Sequence, residues 1–368
     1  MTTLSLAGVT AAYADHVALR DLSLDLPAGR ITAVLGPSGC GKSTMIRVLA
    51  GFHRVRSGVV SIGGRVVDDG ATFVRPEKRG IGVVPQDVAL FPNLDVAGNV
   101  GYGIRRWGRY DRSRVAELLA LVGLPDAGPL RVHQLSGGQQ QRIAVARALA
   151  PRPLAVMLDE PFTALDQGLR ESVRADVREA LQAQGATGVL VTHDQEEALS
   201  IAEHVVLMRD GTVVQSGRPA DLYERPADLW AARFLGDLVE LPADGDGALV
   251  STPLGVLPVA ATVGTGGPGL VATVRPEQLH LDPAGVDGRV ADVTYYGHDA
   301  MITVNVVRAG GGILPVRWRT VGGRVPAPGD AVRLGVSGAV RVYRDEQAVP
   351  GPGAAAAAAR MPPAAPLH

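Results

Sequence analysis

The run Ile31-Thr32-Ala33-Val34-Leu35 is apolar at almost every position, which marks a strand buried on both faces. A Gly-rich turn from Gly36 to Ser43 follows. Met45, Ile46 and Leu49 then recur at helical spacing before Gly51, so the pattern predicts a helix over Lys42–Ala50. Upstream, residues from 3 onward read as short strands. Val59–Ile62 and Arg65–Val67 flank Gly63-Gly64, a pair that favours a two-residue hairpin turn, so a small antiparallel sheet is expected beside the main one. From about Val96 to Ala150 the period becomes helical: Val115, Leu118, Leu119 and Val122 share one face, and a second helix runs from about Gln139 to Leu149 before Pro151. Leu154–Leu158 is again a continuous apolar strand, Leu169–Leu181 an amphipathic helix and Val189–Val191 a strand. That alternation is the signature of a parallel α/β sheet with a helical subdomain inserted into it.

Near residue 236 the alternation stops. Short β-like runs at Leu249–Val250, Val271–Val274, Met301–Val307 and Ala331–Val336, separated by Gly and Pro, predict an all-β domain over 237–345. The Pro/Ala-rich segment 346–368 has no core-forming pattern and is expected to be disordered. Two domains and a tail suit 368 residues. Lys+Arg 36 against Asp+Glu 37 leaves a net charge of -1, so no basic field exists to hold nucleic acid. Cys40 has no partner for an intramolecular disulfide, and no cationic stretch followed by an apolar run opens the chain. The expected location is the cytoplasm. No run of about 18 apolar residues could span a membrane, so a transport role would need another chain to supply the pore.

The candidate chemistry begins at Gly36-Pro37-Ser38-Gly39-Cys40-Gly41-Lys42-Ser43, which satisfies the phosphate-binding-loop pattern between a strand and a helix. Glycines let successive backbone N–H groups curl around phosphates, and the helix N-terminus adds positive potential. Lys42 is placed for the β- and γ-phosphates and the Ser43 hydroxyl for Mg²⁺. The strand Leu154–Leu158 delivers Asp159 and Glu160 at its carboxyl end, where open α/β sheets place ligands. Asp159 would hold Mg²⁺ directly or through water, and Glu160 would act as general base on the attacking water. An Asp-Glu-Pro turn that merely ends a strand is the alternative. Cys40 lies near a helix N-terminus, which would lower its thiol pKa and make it reactive, against the plainer view that it is a small residue tolerated there.

Leu135-Ser136-Gly137-Gly138-Gln139 is a second glycine-bearing helix start, with Ser136 offering a hydroxyl to an anion. With this motif the chain resembles the ABC ATPase family at every signature position. The resemblance implies the fold class: a P-loop ABC ATPase domain over 1–236, with parallel sheet core, antiparallel β subdomain and helical subdomain, followed by an OB-like regulatory domain. It also implies a head-to-tail homodimer in which each signature closes on the γ-phosphate of an ATP held by the other subunit's loop, Gly36 to Thr44. Tyr13 resembles the aromatic residue that stacks on adenine, and Gln86 the loop glutamine that touches Mg²⁺ and water and senses the membrane partner. Asp166, in Ala164-Leu165-Asp166, resembles the loop that crosses the dimer interface; an N-cap role is compatible with that. His193 resembles the switch histidine that hydrogen-bonds the γ-phosphate.

Within the family, the β domain with Val274-Arg275-Pro276-Glu277 is similar to that of bacterial importer ATPases. The implied partners are membrane permease subunits, received by the face from Gln86 to Tyr102, and through them a periplasmic or lipid-anchored substrate-binding protein. The motor would sit peripherally on the cytoplasmic face of the membrane. Ala89-Leu90-Phe91-Pro92-Asn93-Leu94, the segment Val96 to Gly103 and Tyr296-Gly297-His298-Asp299-Ala300 look most like ferric-iron importer ATPases, with polyamine, sulfate, phosphonate or sugar import as alternatives. A soluble ABC ATPase of DNA repair or translation would carry long coiled coils or tandem cassettes, and this chain has neither. A regulatory protein without catalysis would lack catalytic positions, and they are all present.

Overall fold

The computed structural model describes residues 2–105, 109–163, 165–245, 247–263, 269–308, 311–323 and 325–345. The expected disordered tail, 346–368, and Ala164 of the interface-loop motif lie outside the described residues. Contacts divide the chain into two units, Met1–Arg225 and Pro226–His368.

The first unit opens with two long strands, β1 (Thr2–Tyr13) and β2 (His16–Pro27), where several short ones were expected. Repeated register shifts along their pairing interrupt the alternation that would have marked them as continuous. Then come β3 (Ile31–Leu35), α1 (Lys42–Ala50), β4 (Ser57–Ile62) and β5 (Arg65–Asp68). The hairpin between β4 and β5 turns on Gly63 and Gly64, both at positive φ, as a tight two-residue turn demands. These strands form an antiparallel sheet ordered β2-β1-β4-β5.

The main sheet adds β6 (Ile81–Val84), β7 (Ala155–Asp159), β8 (Thr187–Thr192), β9 (His204–Arg209) and β10 (Thr212–Gly217). Its order is β10-β9-β3-β8-β7-β6, parallel except for the β9–β10 edge pair. Every residue of β3 and β8 is buried, which is why these strands read as continuous apolar runs. Leu4, Leu6 and Leu22 of the first sheet, Met45 and Leu49 of α1, and Val34 and Val189 of the second share one core, so α1 lies packed between two sheets.

Between β6 and β7 lies the expected helical insertion: α2 (Val96–Val100), α3 (Arg112–Leu121) and α4 (Gly137–Leu149). Asp95 and Asp111 cap the first two. The last starts earlier than Gln139 because Ser136 and Gln139 form a reciprocal capping box that offsets the poor helix propensity of two glycines. The unit is completed by α5 (Gln167–Ala183), α6 (Gln195–Ile201) and α7 (Pro219–Glu224).

The second unit begins with α8 (Leu229–Phe234), followed by β11 (Val239–Ala243), β12 (Leu249–Thr252), β13 (Gly255–Val263), β14 (Gly269–Val274), β15 (Leu279–Tyr295), β16 (Asp299–Val307), β17 (Ile313–Val321), β18 (Ala331–Val336) and β19 (Val340–Asp345). Sheets ordered β11-β14-β19-β13-β12 and β17-β16-β15-β18 enclose one apolar core that includes Leu241, Val274, Ile302, Trp318 and Val342. The sequence reading drew the boundary at 236, where the helical period ends. By contacts α8 belongs to the β unit, because Leu229 and Ala232 cluster with Val271 and Tyr343. Arg275 of the Arg-Pro-Glu element is buried and donates to the carbonyls of Ala232 (3.0 Å), Gly236 (3.2 Å) and Asp237 (3.0 Å).

One buried charge ties α1 to the antiparallel sheet. Arg79, 3% exposed, donates from Nη1 to the carbonyls of Val48 (2.7 Å) and Leu49 (3.0 Å) and from Nε to Val74 (2.8 Å), with Asp68 at 3.9 Å. Removing one member of a buried pair strands the other, at a cost of about 3–5 kcal/mol. We expect Arg79→Met to lose about that much in urea unfolding followed by fluorescence, and a loss below about 1 kcal/mol would show the guanidinium to be dispensable.

Candidate functional site

Parallel pairing brings three strand ends to one edge of the main sheet. Leu35 lies opposite Thr192 and Asp159 opposite Val191, so the loop after β3, the acids at the end of β7 and the histidine after β8 line up. Gly41 N-caps α1 at φ 104, and a Cβ there would overlap the Ala18 carbonyl oxygen; the turn therefore needs glycine. The Lys42 side chain is buried, its Nζ donating to the carbonyls of Gly36 (2.7 Å) and Pro37 (3.0 Å). Above this loop opens a pocket of about 360 Å³ whose lining includes Tyr13, Ser38, Gly39, Gly41, Lys42, Ser43, Thr44 and Glu160.

The Ser43 hydroxyl donates to Asp159 Oδ1 at 3.1 Å. Burial pushes the Asp159 carboxyl pKa up against that hydrogen bond, and the adjacent Glu160 carboxyl pushes it up further. A half-buried carboxylate beside a hydroxyl is a hard-oxygen donor set with an unmet demand for positive charge, which fits Mg²⁺.

Glu160 is the meeting point of the site. Its Oε1 lies 3.1 Å from His193 Nδ1, and its Oε2 accepts from Gln86 Nε2 (3.3 Å) and Thr163 Oγ1 (3.5 Å). Its backbone is left-handed at φ 45, a conformation that costs a non-glycine residue about 1 kcal/mol and persists only where neighbours enforce it. The enforcing contact is its N–H, which donates to the Val191 carbonyl at 2.9 Å and so extends the sheet one residue past β7.

Tyr13 stands on the pocket wall, half-exposed, with its ring 4.3 Å from that of His53 and its hydroxyl accepting from Arg47 at 3.5 Å. His16, its partner across the β1–β2 turn, lines the same pocket. The sequence reading passed over His16 and Arg47; a two-residue turn from Tyr13, and one helical turn from Ser43, were the available signals. Of the two readings of Cys40, the plainer one, a small residue tolerated in the loop, fits: the thiol is buried, and burial pushes its pKa up, outweighing the nearby Lys42 charge.

The signature residues do not join this pocket; none of Leu135–Gln139 is in its lining. Ser136 and Gly137 are exposed, while Leu135 and Gly138 are buried. A Cβ on Gly138 would sit 2.7 Å from Leu169 Cδ2, so glycine here lets α4 approach α5 closely and leaves the helix start open to the outside. Asp166 N-caps α5 by accepting from the Leu169 N–H at 2.9 Å. Among the described residues no group of His, Cys, Asp and Glu forms a further metal cluster, and no helix is long and apolar enough to cross a membrane.

Known proteins resemble this chain in sequence and in fold. The family model described as ABC transporter matches residues 19–163, and the TOBE domain model matches 272–342. The Fe(3+) ions import ATP-binding protein FbpC of Mesorhizobium japonicum is 42% identical over 93% of this chain and 100% of its own length. Its namesake in Pseudomonas fluorescens is 43% identical over 93% of this chain and 98% of that one. Among solved structures, cbiO1 from Clostridium perfringens, part of the ABC transporter complex cbiONQ, matches with TM-score 0.56 and 27% identity, over 61% of this chain and 91% of that one. A dimeric post-hydrolysis state of the ATP-binding cassette MJ0796 with ADP and Pi matches with TM-score 0.51 and 30% identity, over 59% of this chain and 98% of that one.

Following His193 in the chain, at the start of α6, is a buried carboxyl that the sequence reading did not single out. Glu197 is 3% exposed, accepts from Thr192 Oγ1 at 2.8 Å, and is pushed up to about 7 by burial, with Arg174, Asp194 and Arg170 as its charged neighbours. An unfolded glutamate titrates near its ordinary 4.5, so the folded state binds the extra proton between those values, and the stability this group adds is lost as pH rises from about 4.5 through about 7. Glu197→Gln removes that loss: its Tm should fall less than the wild type's between about pH 5 and pH 8, and parallel curves would refute the assignment.

Proposed function

The chain belongs to the ABC transporter ATP-binding family, and from that membership we propose that it is the ATP-hydrolysing subunit of a bacterial importer whose cargo is ferric iron. The observation that carries the motor assignment is the Glu160 carboxylate, held between His193 and Gln86 over a phosphate loop and beside the Ser43–Asp159 pair. The names of the relatives support the cargo.

In this reading the adenine stacks on Tyr13, and the phosphates enter the cradle from Gly36 to Thr44. Lys42 exchanges its two carbonyl contacts for β- and γ-phosphate oxygens. Ser43, Asp159 and Gln86 would hold Mg²⁺, which when bound would neutralise phosphate charge and polarise the phosphoryl oxygens. Glu160 accepts a proton from water as the water oxygen bonds to the γ-phosphorus. The bond to the β–γ bridging oxygen breaks, and ADP and phosphate leave. His193, fixed beside Glu160, donates to a γ-phosphoryl oxygen. Positioning and oriented donors do the work, with no covalent step on the protein.

The exposed Ser136 and Gly137 at the start of α4 serve the ATP of a second copy, in a head-to-tail homodimer with Asp166 at the interface. The surface around Gln86 and Tyr102 receives the permease, and a substrate-binding protein acts through that permease. The motor therefore lies peripherally on the cytoplasmic face of the membrane.

Glu160→Gln keeps the size and hydrogen-bonding reach of the side chain but cannot take the proton. We expect ATP affinity within about twofold of wild type and phosphate release reduced by about 10²–10⁴-fold; turnover at the wild-type rate would remove Glu160 as the base. For the cargo, the complex with its permease in nanodiscs should show ATPase stimulation by a ferric-loaded binding protein. Stimulation only by a polyamine-, sulfate-, phosphonate- or sugar-loaded protein would keep the motor and overturn iron.

A further inference from the structure

Two loops that the proposed mechanism treats separately are joined by one side chain. The Arg170 guanidinium, one turn into α5, donates from Nη2 back to the Leu165 carbonyl at 3.0 Å, fastening itself to the loop that precedes the helix. Its Nη1 lies 3.6 Å from Asp194 Oδ2, and Arg174, one turn further along α5, reaches the same oxygen at 3.6 Å. Asp194 follows His193 directly. Its Oδ1 caps α6 by accepting from the Glu197 N–H (3.0 Å), and its own N–H donates to Thr192 Oγ1 (3.0 Å). Thr192 in turn donates to Glu197 (2.8 Å).

The residues on both sides of His193 are therefore pinned, while the imidazole itself is half-exposed and touches Glu160 at 3.1 Å. Its neighbours in the chain, Thr192 and Asp194, are held by hydrogen bonds and ion pairs on either side of it. The ion pairs at Asp194 are partly shielded from water, with 30% of the Arg170 side chain and 12% of Arg174 exposed, so they are screened less than surface pairs. Both arginines pull on one oxygen from the same side, and only Arg170 also holds the Leu165–Asp166 loop.

We propose that Arg170 is a positioning residue that ties the Leu165–Asp166 loop to Asp194, so that the placement of this loop sets the placement of His193 against Glu160. Resting on the function proposed above, the inference makes the same contact the route by which a second copy arriving at the loop aligns the histidine for hydrolysis. The contacts available for such coupling run from the Leu165 carbonyl through the Arg170 guanidinium to Asp194 and along the backbone to His193.

The full-length protein tests it, with phosphate release, affinity for a fluorescent ATP analogue and thermal melting measured together. Arg170→Ala is expected to lower kcat about tenfold while ATP affinity stays within about twofold, since the side chain touches no part of the nucleotide pocket. Arg170→Lys, which keeps the charge but cannot serve both partners, is expected to fall between. In a His193→Ala background followed by single-turnover hydrolysis, adding Arg170→Ala should change the rate less than about twofold, because an effect exerted through the histidine disappears with it. The inference is overturned if Arg170→Ala retains wild-type kcat, if its loss is as large without His193, or if ATP affinity falls in step with kcat. Where Arg170→Ala melts early, Arg170→Lys and Asp194→Asn carry the same comparison. A wild-type protein without ATPase activity would instead overturn the functional reading, and this inference along with it.

Discussion

The backbone ladder between β3, β8 and β7 is the constraint from which the site follows. Parallel strands are locked residue by residue, and the pairings of Leu35 with Thr192 and of Asp159 with Val191 leave the next residues of each strand no freedom along the sheet edge. The Glu160 N–H bonded to the Val191 carbonyl continues that ladder and twists the carboxylate off it through a left-handed backbone. A slip of one residue would exchange the two faces of a strand, and because β3 and β8 are buried on both faces it is the close packing of differently shaped side chains on each that resists it. Hydrophobic packing thus sets the geometry of polar chemistry that it never touches.

A second theme is the use of buried cations against helix C-termini. Arg79 bonds the last carbonyls of α1, Arg275 a carbonyl of α8 together with two just beyond it, and Arg114 the Leu149 carbonyl that ends α4. Each meets carbonyls that have lost their helical partners and carry the negative end of the helix dipole. A guanidinium has donors enough to satisfy several carbonyls at once, which is what each of these helix ends presents to it. This accounts for the Arg-Pro-Glu element of the second unit as architecture: its arginine holds a helix end, and its proline starts a short 3₁₀ turn.

What the sequence disclosed follows from the same physics. Fully buried strands such as Ile31–Leu35 announce themselves by apolar runs, and the phosphate loop and Asp159-Glu160 by residues that few other structures require in that order. The long strand β15 was illegible because Pro283 and Gly285 sit in it and its pairing with β18 shifts register between Leu281 and Val286, which breaks the alternation. Arg79 and Arg170 were illegible for a different reason: an arginine in a charged stretch reads as solvated, and only tertiary folding shows that its partners are carbonyls far away or a capping aspartate. Cys40 left two readings open because proximity to a helix N-terminus is visible in a sequence and burial of the thiol is not.

The bonds of Lys42 have a consequence for the turn that carries it. Its ammonium donates to the carbonyls of Gly36 and Pro37, so the side chain staples the start of the loop to the start of the helix. A shorter or uncharged side chain at this position would therefore loosen the turn as well as remove a cation, and the two losses cannot be told apart by a single substitution. The lysine is a part of the loop's frame before it is a partner for any phosphate.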